Sequence, residues 1–106
     1  MPIELDDIQK DGYSSVQISP MVFDLIMALI DVKNFDKVDS VYVNHDEQKF
    51  EIYVFYDIED FDLEDKIMKI FTNYEEAYRF FPEIFIYPLN MIENKKMTLP
   101  DKAIEL

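Results

Sequence analysis

The sequence predicts an α+β domain, an antiparallel sheet of three or four strands with two helices packed on one face. Three observations lead there. Two segments, 20–32 and 62–81, carry apolar residues at helical spacing and bracket two strand-like runs, 38–45 and 49–58. A third strand-like run, "EIFIYPL" at 83–89, follows the second helix directly. The 106 residues include nine Phe and seven Tyr, enough apolar bulk for one core without a disulfide or structural metal.

Residues 1–12 read as a loose N-terminal arm of a single domain spanning 1–106. Tyr13–Ile18, "YSSVQI", is a candidate short strand. Ser19 then Pro20 is a helix start, because Ser caps free N–H groups and Pro suits the first helical position. The helix from Pro20 to Val32 is apolar on more than one face, with only Asp24 and Asp31 marking a solvent stripe. Such a helix is expected to be covered on more than one side.

"VDSVYVNH" at 38–45 and "KFEIYVFYDI" at 49–58 form a hairpin across the turn "HDEQ". Asp62 is the expected cap of the second helix, with Leu63, Ile67, Ile70, Phe71, Tyr74, Tyr78 and Phe81 as its apolar stripe and Pro82 as its stop. Ile67, Ile70 and Phe71 should be buried against Ile52 and Val54. Residues 90–106 form a C-terminal extension in which "MTLP" and "AIEL" leave a further short strand open.

With the strand at 13–18 included, the element order resembles that of a ferredoxin-like domain. That arrangement puts the first strand in the centre, and "SSVQIS" is polar for such a place, so the order is read as an incomplete version.

Composition excludes several chemistries. Cysteine is absent, which removes disulfides, Cys-ligated zinc, iron–sulfur clusters and thiol catalysis. The single glycine, Gly12, cannot supply a dinucleotide or P-loop phosphate cradle. The formal charge of −13 repels nucleic-acid phosphates and anionic membranes. No basic head or apolar core of a leader stands at the N-terminus, and the longest apolar stretch, Met21 to Ile30, is too short to span a bilayer, so a soluble cytoplasmic protein is expected.

Two clusters compete as functional sites. Strand alternation places Tyr42, Tyr53, Phe55, Phe85 and Tyr87 on the sheet face opposite the aliphatic core. An aromatic sheet face stacks bases in RRM-type domains, but those are basic and carry a signature missing here. A terminal segment, a second copy or a protein partner is the expected cover. The second cluster is "DIEDFDLED" at 57–65, six carboxylates in nine positions. EF-hand spacing fails from Asp57, which puts Asp62 and Met68 where Gly and Glu are needed, and from Asp60, which puts Asp65 and Phe71 there. A weaker divalent-cation site on Asp57, Glu59 and Asp60 is the remaining metal candidate. The helix, strand, strand order with an acidic strand end is also similar to a nucleotidyltransferase domain. The Gly-Ser turn of that family is replaced by "VNHD", so the resemblance implies a degenerate relative. The lone histidine, His45, sits in a turn and reads as solvated.

These observations make the chain a small acidic protein that acts through protein–protein interaction, as a regulatory or accessory subunit and a homodimer or partner-bound chain, without catalysis or cofactor. The alternative is a divalent-cation-binding domain or cation-dependent enzyme using residues 57–60.

Overall fold

A computed structural model describes residues 19–46 and 48–106; the candidate strand at 13–18 lies outside them. Helix α1 runs Pro20–Lys33. The Ser19 hydroxyl accepts the Val22 N–H at 3.3 Å, and the helix closes at Asn34, whose N–H reaches the Ile30 and Val32 carbonyls. Strands β1 (Val38–His45) and β2 (Phe50–Tyr56) pair antiparallel, Val41 opposite Val54 and Val43 opposite Ile52. Asp46 closes their turn, its carboxylate accepting the Gln48 and Lys49 N–H groups at 2.9 and 3.1 Å.

Helix α2 covers Phe61–Tyr78. Its cap is Asp60, two residues earlier than expected, with Oδ1 accepting the Leu63 N–H at 3.1 Å. It ends where Arg79 turns left-handed at φ 58°. The residue before a proline is pushed out of the helical region, so Phe81 could not have extended the stripe before Pro82; it is 65% exposed. β2 likewise stops at Tyr56. The Asp57 N–H leaves the sheet for the Lys37 carbonyl at 3.1 Å, and Ile58 lies exposed.

Strand β3 (Glu83–Pro88) pairs parallel with β2, Ile52 beside Ile84 and Val54 beside Ile86. This corrects the antiparallel expectation for the whole sheet. A helix laid across one face carries the chain back to the end where β2 began, so the next strand runs the same way. A 3-10 turn (Leu89–Met91) and a single-turn helix α3 (Lys95–Thr98) lead to β4 (Ile104–Glu105), antiparallel on the far side of β1. The described sheet is mixed, in the order β3-β2-β1-β4. It departs from the ferredoxin-like arrangement, because its centre is the hairpin and β2 pairs directly with β3.

The fold is α+β, with α1 and α2 on one sheet face. Val41, Ile52, Val54 and Tyr56 meet Leu29 and Val32 of α1 and Leu63, Ile67 and Phe71 of α2. Ile70 packs at the edge of this core, half-buried. The helices are tied together by the Tyr74 hydroxyl, which donates to the Met21 carbonyl at 2.9 Å, and by the Tyr78 hydroxyl, which donates to Asp24. No described helix is long and apolar enough to cross a membrane.

Candidate functional site

The pleat brings all five aromatic candidates onto the sheet face away from the helices. Tyr42, Tyr53 and Phe85 lie in one row across β1, β2 and β3; Ser40, Phe55 and Tyr87 lie in the next. Tyr53 meets Phe85 edge-on at 4.9 Å between ring centres, and Phe55 meets Tyr42 edge-on and Tyr87 stacked, both at 5.8 Å. Phe55 is fully buried and Tyr53 nearly so, whereas Tyr42, Phe85 and Tyr87 are half-buried. Part of the cover is Lys95, the first residue of α3. Its ammonium lies 5.8 Å from the Tyr42 ring centre and 6.0 Å from that of Phe55, within cation–π range. Asp39 fixes it there at 2.7 Å, and Ser40 adds a contact at 3.2 Å. The Lys95 hydrogen bond, helped by Ser40, holds the Asp39 carboxyl below the usual range. The Tyr42 hydroxyl donates to Glu105 at 3.2 Å, joining the same face to β4.

The third row of this face is polar. Glu51 is 6% exposed, and a carboxylate so placed needs partners. Asn44 donates to it at 2.8 Å and Lys49 approaches at 3.6 Å. The Asn44 hydrogen bond outweighs burial and holds the Glu51 carboxyl low. Burial, then the Glu51 carboxylate, pushes the neighbouring Tyr53 phenol up to about 12.

The acidic stretch is used for the start of α2. Asp60 caps the helix and pairs with Lys37 at 3.2 Å; the Leu63 N–H, then Lys37, lowers its carboxyl. Asp57 and Glu59 engage through their backbones. The Asn90 N–H donates to the Asp57 carbonyl at 3.3 Å, and the Glu59 N–H donates to the Asn90 side chain at 3.0 Å. Among the described residues, no three His, Asp or Glu side chains are gathered to hold a metal ion. His45 is exposed at the hairpin end, its ring 5.5 Å from that of Phe50, beside an open hollow of about 400 Å³ lined also by Lys49, Phe80 and Glu83.

Another apolar surface among the described residues is one the strand pattern does not reveal. α1 buries Ala28, Leu29 and Val32 in the core, yet Met21, Val22, Phe23, Ile26, Met27 and Ile30 are exposed. Phe23, Ile26, Met27 and Ile30 follow steps of three and four, so they form one stripe along the outside of the helix. The signal was present in the sequence as a helix apolar nearly all round. The C-terminal residue Leu106 borders the stripe. Its N–H binds the Val41 carbonyl at 2.9 Å, its carbonyl accepts from Lys33 at 2.6 Å, and it shares a hollow of about 180 Å³ with Ile26, Leu29 and Ile30.

No family model, no curated protein and no solved structure matches the chain.

Proposed function

We propose that this protein is a noncatalytic interaction module, a regulatory or accessory subunit that works by presenting an apolar surface to another protein chain. The observation that carries the reading is the outer face of α1, where Phe23 is 52% exposed and Ile26, Met27 and Ile30 are each above 40%. A contiguous apolar patch of this size on a small domain is the usual mark of a protein interface. The half-buried Tyr42, Phe85 and Tyr87 provide a second apolar surface on the opposite sheet face. The charge of −13 favours protein surfaces over nucleic acid or anionic membrane.

The test is in-cell cross-linking of the full chain in its native host, followed by mass spectrometry of what is attached. Cross-links from the lysines nearest the α1 face to a defined protein, including another copy of the chain, are expected. Cross-links scattered over many abundant proteins, with a monomeric mass after purification, would refute the reading.

A further inference from the structure

We infer that the outer edge of β3 takes an extended, basic segment of another protein as a fifth strand, seated in the cleft between that edge and α2. The site is separate from the outer face of α1 and does not depend on it. β3 is the last strand on its side of the described sheet. Among the described residues, none bonds to its outer backbone groups. An edge left in this state is a template for another chain, and proteins usually blunt it with Lys, Pro or a bulge. Between Glu83 and Pro88 no such device is present. Ile84, Phe85, Ile86 and Tyr87 keep an unbroken register against β2, and all four are half-buried.

The helix layer supplies the other wall of the cleft. α1 stands over the β4 side, where Lys33 donates to the Leu106 carbonyl. The flank of α2 that faces α1 carries Ile70, Asn73 and Tyr74. The opposite flank, on the β3 side, carries Glu64, Met68, Phe71 and Glu75 in steps of four, three and four. Tyr56, beside Pro88 in the sheet, donates to Glu64, so Glu64 stands at the Pro88 end and Glu75 toward the Glu83 end. Both spans measure about 16 Å. A strand laid along β3 therefore meets Ile84, Ile86 and Met68 on the helix side, with a carboxylate at each end. Arg or Lys fits there, its stem on the apolar wall and its head at a carboxylate. The alternate residues meet Phe85 and Tyr87 on the other face, where a β-branched or aromatic side chain suits. Glu75 is half-buried, burial raises its carboxyl, and no donor among the described residues is bonded to it. A second copy fits poorly. Pairing two β3 edges about a two-fold sets Glu64 of one copy toward Glu75 of the other, and like charges across an interface repel.

The test is amide hydrogen exchange of the full chain by NMR, with and without a blocked seven-residue peptide of alternating Arg and Val. In the free chain, alternate amides of 83–87 should exchange fast, the others being protected by β2. The peptide should slow that fast set. Glu75→Lys should raise the dissociation constant of the peptide at least about tenfold. Glu76→Lys makes the same change of charge on the exposed side of α2 and should move it less than about threefold. The same peptide N-methylated throughout keeps its charge but has no N–H to give, and it should not bind, because strand addition draws its affinity from main-chain hydrogen bonds. Equal effects of the two Lys variants reduce the contact to net charge and overturn the site. Binding of the N-methylated peptide overturns strand addition, and so does a fast set that the Arg–Val peptide leaves unchanged. Amides already slow in a free chain of 12.7 kDa give the edge to the chain's own terminal residues, and amides slow only at twice that mass give it to a second copy. Either result overturns the partner segment as occupant.

Discussion

Tyr56 joins strand, helix start and core in one side chain. Its ring is fully buried among Leu63, Ile67 and other core residues. A buried hydroxyl is costly unless bonded, and this one accepts the Asp60 N–H at 3.0 Å and donates to Glu64. Tyr56→Phe should therefore cost about 1–2 kcal/mol in urea denaturation at neutral pH. Burial, then the Glu64 carboxylate, pushes the Tyr56 phenol up to about 12. The unfolded phenol titrates near about 10, so the stability from keeping it protonated is full below that value. It is lost as pH rises toward the folded value. Wild type should lose more stability between about pH 8 and about pH 11 than Tyr56→Phe does; equal losses would remove Tyr56 from the account, leaving Tyr53 with its similar shift. Phe71 tests the core more simply. It is fully buried, and Phe71→Ala should cost roughly 3–5 kcal/mol. A loss below about 1 kcal/mol, the range of surface changes, would contradict its packing.

At the scale of elements, the start of α2 and the tail segment carry separate expectations. Asp60 supplies a cap, a task Asn performs as well as Asp. Asp60→Asn should melt close to wild type, whereas Asp60→Ala should melt roughly 5 °C lower. Asp57→Asn combined with Asp60→Asn should keep the fold, and calorimetric titration with Mg²⁺ or Ca²⁺ should give the same trace before and after. Heat of binding that disappears in the double variant would restore a cation site at 57–60. The tail is held by Lys95, whose ammonium joins Asp39 and lies against Tyr42 and Phe55. Lys95→Met keeps the stem but loses the charge. It should raise amide hydrogen exchange across 89–106 while β1 and β2 stay protected. Unchanged exchange in the tail would mean that β4 and the Leu106 contacts suffice to hold it.

At the scale of the whole molecule, charge opposes assembly while apolar area favours it. A dimer carries −26, twice the −13 of one chain. Like charges repel less as salt shortens the screening length, from about 30 Å at 0.01 M to about 8 Å at 0.15 M. Association should therefore tighten as salt rises, the reverse of a nucleic-acid complex, whose affinity falls with salt. Light scattering across a salt series measures this directly. Association that weakens steadily with salt would point to a cationic partner bound by charge.

The sequence by itself determined the kinds of the main elements and, within the hairpin and α2, the side most residues take. Periodicity is local, so Phe71 and Ile67 could be assigned to the core and Tyr53 and Phe55 to the other sheet face before any contact was known. The same local rule located the Ser19 cap and the hairpin through Asp46. Tertiary structure decided what depends on residues far apart in the chain. The direction of β3 follows from how α2 crosses the sheet, and no spacing within "EIFIYPL" records it. Asp60 takes the cap in place of Asp62 because Tyr56 at the end of β2 and Lys37 just before β1 hold it there. Lys95 reaches Phe55 from forty residues along the chain. α1 carries two interleaved apolar stripes, 25/28/29/32 and 23/26/27/30, which the sequence cannot rank. The sheet takes one stripe and leaves the other facing outward, because a single helix can lay only one side against it.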